Sequence, residues 1–193
     1  MNEKRAIGFE QGEVRFDEGE KRTLEGYASV FNTPADLGSF TEVIEAGAFS
    51  RALDEGQDVR ALVDHDPSMI IGRTKNNTLE LREDNKGLFT RIDLPDTTLG
   101  RDLAKLVDRG DLDAMSFGFT VRSDRWERNE GKNVRYIEDV DIFDISVVSF
   151  PAYVDTSVAL RSMPADEPKD DIRRRRLDIR LHDLRKNSWK DTQ

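Results

Sequence analysis

Three side chains of this sequence are of the types that nucleophilic catalysis by serine requires: a hydroxyl, an imidazole and a carboxylate. His65 is one of only two histidines in the chain. An ordinary pKa of about 6.5 makes histidine the natural general base at neutral pH. Ser116 lies in the apolar segment of residues 113–121, with Gly118 two positions further on. These residues could carry out acyl transfer if folding brought Ser116 and His65 together.

Each of these residues also has an ordinary interpretation. His65 is flanked by Asp64 and Asp66, as a surface loop histidine often is, and most serines are solvated or cap a backbone group. The setting of Ser116 favours catalysis, because period-two alternation puts Ser116 and Gly118 on one strand face and apolar side chains on the other. Gly118 would leave room there for a substrate backbone to approach.

The third group of such a site would be Asp144, which stands between Phe143 and Ile145 in a predicted strand of residues 134–150. Carboxylates are poor strand formers, so a mid-strand acid either has a partner or faces solvent. Exposure on an ordinary edge strand is the alternative interpretation. Asp141 is the fallback for the third group, although alternation points it to the face opposite Asp144.

Composition excludes several other kinds of site. Cysteine is absent, which excludes disulfides, thiolate nucleophiles and cysteine-ligated metals. Two histidines make a zinc enzyme a minor alternative, and we expect no cofactor. The net charge is −9, and because residues 164–193 contribute +2, residues 1–163 carry −11. This charge argues against nucleic-acid binding, although the arginines of residues 173–176 keep a nucleic-acid-binding module as a further alternative.

The chain is long enough for one hydrophobic core and a tail. No apolar run approaches the roughly 20 residues of a membrane helix, and the N-terminus lacks the apolar centre of a signal peptide. We therefore expect a soluble, cytoplasmic protein. We predict a polar N-terminal segment or hairpin over residues 1–21, one β-rich domain over residues 22–162, and a charged, flexible tail over residues 163–193.

Short strands with two helices among them are the predicted elements of the domain. Strand-like patterns cover residues 24–31, 58–63, 79–81, 87–94, 113–121 and 134–150, and helix-like patterns begin at residue 45 and cover residues 98–109. Pro67 cannot continue a central ladder, so His65 should lie where the strand of residues 58–63 gives way to a loop.

Seven sequence blocks stand in a characteristic order and spacing. They are GYASVF (26–31), GAF (47–49), LVDHD (62–66), IG (71–72), GL (87–88), DAMSFGF (113–119) and DISVVSFPA (144–152). Together they resemble the HK97-type prohead protease family. The resemblance covers residues 22–162 and depends on the ordered set, because no single block is specific.

Carried over position by position, the resemblance implies that His65 is the general base, Ser116 the nucleophile and Asp144 the acid that orients His65. Family members commonly have glutamate where this chain has Asp144, and Asp141 remains the fallback. His182 lies beyond the matched region and is not expected in the site. The implied fold is β-rich α+β, a closed or nearly closed β-barrel with surrounding helices, as in the herpesvirus assembly proteases to which the family is thought to be related.

The resemblance also implies a function in phage or prophage capsid maturation. The expected enzyme is a serine endopeptidase that cuts the scaffolding region of the major capsid protein, and itself, inside the assembling procapsid in the bacterial cytoplasm. A homodimer or larger assembly is expected, and backbone N–H groups around Ala152, after Pro151, are candidates for the oxyanion hole. The tail would hold the enzyme to shell or scaffold proteins, or would simply be solvated.

The alternative from another class is a catalytically inactive scaffold or capsid-associated protein of the same fold. It is motivated by the aspartate at the glutamate position and by the lack of a second catalytic histidine. Cleavage of a capsid substrate distinguishes the two functions.

Overall fold

Alternating apolar residues organise this chain into strands. The computed structural model describes residues 2–8, 15–17, 22–129 and 131–149. In this part of the chain the strands are β1 (Asn2–Gly8), β2 (Arg15–Asp17), β3 (Thr23–Val30), β4 (Ala35–Asp36), β5 (Thr41–Ile44), β6 (Arg60–Val63), β7 (Asp66–Arg73), β8 (Leu79–Glu83), β9 (Gly87–Asp93), β10 (Ala114–Asn129) and β11 (Lys132–Val148). The helices are α1 (Ser50–Asp54) and α2 (Thr98–Asp108), with a 3-10 turn over Thr74–Asn76.

The strands form two sheets. The larger sheet has the order β1-β10-β11-β5-β4, and the smaller one has the order β2-β3-β9-β8. On the side of β11 away from β10, β5 pairs in parallel with residues 134–137 and β6 with residues 144–147. β7 then pairs with β6. β11 is therefore a central strand where it contains Asp144.

Phenylalanines of β10 pack at the centre of the core. Phe117 stacks on Phe119 with ring centroids 4.8 Å apart and meets Phe49 edge-on at 5.5 Å, and all three side chains are buried. The smaller sheet adds Leu24, Leu88 and Ile92 to the same buried cluster. Because burying one such side chain contributes about 1.5–3 kcal/mol, the apolar face of β10 is held firmly in place.

Both predicted helices are present, with changes at their ends. α2 ends one residue before the predicted end, and Thr97 caps its N-terminus by accepting a hydrogen bond from the backbone N of Gly100 at 3.2 Å. α1 begins at Ser50 rather than near residue 45, because residues 46–49 form a turn. Within the described ranges, neither helix has the length and apolar character that a membrane span requires.

The β-rich class, with few helices, is confirmed. The strand pairings of the described residues give two sheets and no ladder that closes on itself, so a closed barrel stays a prediction. Exposure of Asp144 on an edge strand is wrong, because β11 is central and Asp144 is buried. In the predicted N-terminal segment, β1 pairs with residues 114–120 of β10. The predicted tail, residues 163–193, lies outside the described residues.

Candidate active site

His65 occupies a two-residue hairpin loop between β6 and β7. Val63 pairs with Asp66, and the intervening Asp64 and His65 have φ values of 49° and 57°. Positive φ at both central residues is what a type I′ turn requires, and its twist matches that of the flanking strands. The prediction that His65 lies where this strand ends is therefore confirmed.

Asp64 anchors this turn to the end of β11. Its backbone N–H donates to the carbonyl of Val147 at 2.9 Å. Its carboxylate accepts hydrogen bonds from the backbone N of Ser149 at 2.8 Å and from the Ser149 hydroxyl at 2.7 Å and 2.9 Å. The turn is consequently held beside β11, which restricts where the imidazole of His65 can lie.

Strand register brings the other polar groups to His65. Antiparallel pairing of β10 with β11 sets Ser116 opposite Ser146 and Gly118 opposite Asp144. Parallel pairing of β6 with β11 sets Leu62, three residues before His65, opposite Ser146. Strands β10 and β11 thus contribute a hydroxyl and a carboxylate, and the turn after β6 contributes an imidazole, to one place.

The three predicted groups are in direct contact. His65 Nε2 lies 2.7 Å from Ser116 Oγ, and Nδ1 lies 2.5 Å from Asp144 Oδ1. An ionised carboxylate can only accept, so the ring proton belongs on Nδ1 and Nε2 is free to accept the proton of Ser116. Ser116 is completely buried, and the side chains of His65 and Asp144 are 8% and 7% exposed. Exclusion of water strengthens each of these hydrogen bonds.

Gly118 serves this arrangement in a way that differs from the expectation. A Cβ at Gly118 would overlap Asp144 Oδ2 and the ring of Phe143. The space beside Gly118 is therefore filled by the site's own carboxylate and not left for a substrate backbone. A register shift between Gly118 and Phe119 accompanies this close approach.

Asp141 is not brought to His65. Its carboxylate accepts hydrogen bonds from Arg51 and Gln57, each at 2.8 Å, and pairs with Arg122. The hydrogen bond from Arg122 is the largest of the effects that hold the pKa of Asp141 far below its usual range. The hydrogen bonds from Arg51 and Gln57 lower this pKa further. Asp141 belongs to a separate group of ion pairs, and alternation along β11 had pointed it away from Asp144.

Two residues of this region were not among the predicted site residues. Ser146 Oγ donates to Asp144 Oδ1 at 2.8 Å and lies 3.2 Å from His65 Nδ1. Asp64, which holds the turn, is the other. Alternation, which put Ser146 on the same strand face as Asp144, was a sequence signal for Ser146. For Asp64 there was no such signal, because its partner Ser149 is 85 positions away in sequence.

The oxyanion donors expected near Ala152 fall outside the described residues. So does His182, which was not expected in the site. Among the residues that the structure describes, no three histidine, aspartate or glutamate side chains lie close enough together to hold a metal ion. The chemistry that the described groups can perform is transfer of a proton from Ser116 to His65, which makes the hydroxyl oxygen a nucleophile.

The chain is similar to a known protein family and to a solved structure. A sequence model of a family described as caudovirus prohead serine protease matches residues 10–170. A search of curated proteins found no match. The solved structure of the bacteriophage T4 capsid assembly protease is similar, with a TM-score of 0.51 and 12% sequence identity, over 76% of this chain and 96% of that chain. At this identity the likeness concerns the fold.

Proposed function

We propose that this chain, which belongs to the caudovirus prohead serine protease family, is an active serine endopeptidase with Ser116 as nucleophile, His65 as general base and Asp144 as orienting acid. The single observation that carries the proposal is the continuous contact from hydroxyl to imidazole to carboxylate, at 2.7 Å and 2.5 Å. Such a contact between nucleophile, base and orienting group is the geometric signature of covalent catalysis by serine.

The mechanism follows from the tautomer of His65. Ser116 Oγ attacks the carbonyl carbon of a peptide bond while its proton passes to Nε2, giving a tetrahedral oxyanion and an imidazolium. Asp144 stabilises the imidazolium, which then returns the proton to the leaving amine. Water repeats the cycle on the acyl-enzyme, with His65 again as base, and releases the second product.

The proposed substrate is the scaffolding region of the major capsid protein, cut inside the assembling procapsid in the cytoplasm of the bacterial host. The enzyme also cuts itself. The family description and the likeness to a capsid assembly protease support this substrate class. The proposed protease domain covers residues 22–162, as a barrel-like fold, with residues 1–21 and 163–193 as appended segments and with self-association into a dimer or larger assembly.

The inactive alternative had two motivations, the aspartate at the position that glutamate commonly occupies and the lack of a second catalytic histidine. The geometry of the site bears on the first of them. Asp144 Oδ1 lies 2.5 Å from Nδ1 of His65, so the aspartate reaches the histidine without the additional methylene of a glutamate. This contact favours the enzyme over the inactive scaffold.

Cleavage by the purified protein tests the proposal. The wild-type chain and the Ser116→Ala variant are incubated with the full-length capsid protein, and fragments are followed by gel electrophoresis and mass spectrometry. Removal of Ser116 should lower the cleavage rate by about four orders of magnitude or more. Ser123→Ala makes the same change at an exposed position of β10 and should leave the rate unchanged. If the wild type cuts neither the capsid protein nor itself, the inactive scaffold is the better interpretation.

Residues 164–193 are proposed to tether the enzyme to shell or scaffold proteins, because a basic run follows a proline-containing segment there. A chain that ends at residue 163 should cut the capsid protein in solution at the wild-type rate but enter assembling shells less. Equal amounts of the two chains in purified procapsids would remove the tether from the proposal.

A further inference from the structure

We infer that Ser146 is a positioning residue of this site, which acts through Asp144 to hold the carboxylate in line with Nδ1 of His65. The inference rests on the proposed function and adds a fourth side chain to it. The hydrogen-bonding contacts of Ser146 are to Asp144 Oδ1 and, at a longer distance, to Nδ1 of His65, so its effect on Ser116 passes through these two groups, and the shorter contact is the one to the carboxylate.

The contacts form a closed triangle. Asp144 Oδ1 lies 2.5 Å from His65 Nδ1 and accepts the hydrogen bond of Ser146 Oγ at 2.8 Å, while Ser146 Oγ lies 3.2 Å from the same Nδ1. One carboxylate oxygen therefore receives two donors from different directions. A carboxylate with a single donor can pivot about its Cβ–Cγ bond, whereas two donors on Oδ1 fix both its position and its plane.

Burial makes this hydroxyl dependent on the site. Ser146 is completely buried, and its strand neighbours Ile145, Val147 and Val148 are buried apolar residues. A hydroxyl in such surroundings costs free energy unless it is hydrogen-bonded, and the contacts it makes are to Asp144 and His65. The serine is thus explained by the carboxylate it orients.

Register explains why position 146 suits this task. Ser146 stands directly opposite Ser116, and Asp144 stands opposite Gly118, on the adjacent strand. Two residues of spacing along β11 keep Ser146 and Asp144 on one face, so the hydroxyl can reach Oδ1 without bending the strand. His65 then lies between the two serines, with Nε2 toward Ser116 and Nδ1 near Ser146.

Steady-state kinetics of Ser146→Ala test the inference. We expect kcat to fall about 10-fold to 100-fold, the effect of losing a hydrogen bond to a charged group that matters in the transition state, with KM unchanged. Ser29→Ala removes another buried hydroxyl, in β3, and is the matched control. Its kcat should equal that of the wild type. A purely structural role for Ser146 would lower the unfolding midpoint of both variants similarly and leave both kcat values unchanged.

A double-mutant cycle identifies the path of the effect. If Ser146 acts through the carboxylate, Ser146→Ala should change kcat by less than about 2-fold in an Asp144→Asn background. The same full loss in both backgrounds would overturn the inference. Wild-type cleavage, and its loss in Ser116→Ala, are measured in the same assay, so a failure of the proposed enzyme is distinguished from a failure of the role of Ser146.

A second measurement needs no cleavage. The proton resonance of the His65 Nδ1–H, followed by NMR with ¹⁵N-labelled histidine, should move in Ser146→Ala and stay in place in Ser29→Ala. An unmoved resonance in Ser146→Ala would mean that Asp144 holds His65 equally well without this hydroxyl, and the inference would be wrong.

Discussion

Two polar clusters lie along the hairpin of β10 and β11, and they differ in whether their basic side chain can exchange a proton. One is the candidate active site. The other, here named the ion cluster, consists of Glu3, Arg5, Glu42, Asp124 and Arg135. Arg135 donates to Glu3 at 3.0 Å, to Glu42 at 3.2 Å and to Asp124 at 2.6 Å, and Arg5 pairs with Glu3 and Glu42.

Arginine makes the ion cluster chemically inert. Burial alone would lower the pKa of Arg135, but Glu3, Asp124 and Glu42 outweigh this effect and raise it above its ordinary value. A guanidinium so placed never releases its proton. At the candidate active site the partner of Asp144 is the imidazole of His65 instead of a guanidinium, and its Nε2 lies within hydrogen-bond distance of the hydroxyl of Ser116. Both clusters bury polar groups. They differ in the basic side chain, because an arginine keeps its proton and forms fixed ion pairs, whereas a histidine can accept a proton from a neighbouring hydroxyl.

The largest expected effect is on kcat and comes from a change in the candidate active site. Asp144→Asn should lower kcat about a thousand-fold to ten-thousand-fold. The asparagine amide can donate a hydrogen bond to Nδ1, which favours the tautomer that carries the ring proton on Nε2. In that tautomer Nε2 cannot accept the proton of Ser116. Asp141→Asn is the matched control on the same strand and should keep nearly full activity, because Asp141 contacts Arg51 and Arg122. Peptide hydrolysis rates decide between them. Equal losses in the two variants would contradict the assignment of Asp144.

The second effect is on the stability of the ion cluster. Arg135→Met leaves Glu3 and Glu42 buried without this partner, so the free energy of unfolding should fall by about 3–5 kcal/mol. Arg122→Met makes the same change where the side chain is 59% exposed and should cost about 1 kcal/mol or less. Urea denaturation gives both values. The folded fraction of the Arg135→Met variant should have the kcat of the wild type. A lower kcat with unchanged stability would mean that the ion cluster affects catalysis and would contradict this prediction.

A third effect joins packing to reactivity. Gly118→Ala places a methyl group against Asp144 and Phe143, so the carboxylate and the ring must shift from the positions that they occupy beside Gly118. We expect a stability loss of about 1–3 kcal/mol and at least a 10-fold fall in kcat. Adding Asp144→Ala should restore part of the stability and none of the activity. Full activity in Gly118→Ala would show that the close approach at this position is unimportant.

The smallest effect belongs to a half-buried ion pair at the far end of the hairpin that carries His65. Arg73 donates to Asp58 at 2.7 Å and 2.6 Å and lowers the pKa of Asp58 from 3.8 to about 2. A depressed pKa contributes stability that is present above the ordinary value and lost as pH falls through the lowered one. Asp58→Asn should lower the melting temperature by at most about 2 °C at pH 7, and this difference should vanish between about pH 4 and pH 2.

Calorimetry of both proteins across that pH range checks this last prediction. A difference that grew on acidification would mean that Asp58 is stabilised as the neutral acid. Activity should be the same in the two proteins at neutral pH, because Asp58 lies at the opposite end of β6 from His65.

Much of the site could be predicted because its determinants are local. Scarcity of histidine pointed to His65, and alternation grouped Ser116 with Gly118 and Asp144 with Ser146 on their strand faces. The helix of residues 98–108 followed from apolar spacing and a stop signal at Gly110, which has a positive φ. Such patterns are written in consecutive residues, so they need no knowledge of neighbours in space.

What only the tertiary structure decided is the pairing between distant segments. Parallel pairing of β6 with β11 brings His65 to Asp144 across 79 positions, and the ion cluster joins Arg135 to Glu3 across 132. The structural role of Gly118 was also decided by strand register, because the residue opposite it on β11 is Asp144. A shift of one residue in register would turn every side chain to the other face at no change in local pattern, so the final contacts are selected by the packing of the whole core.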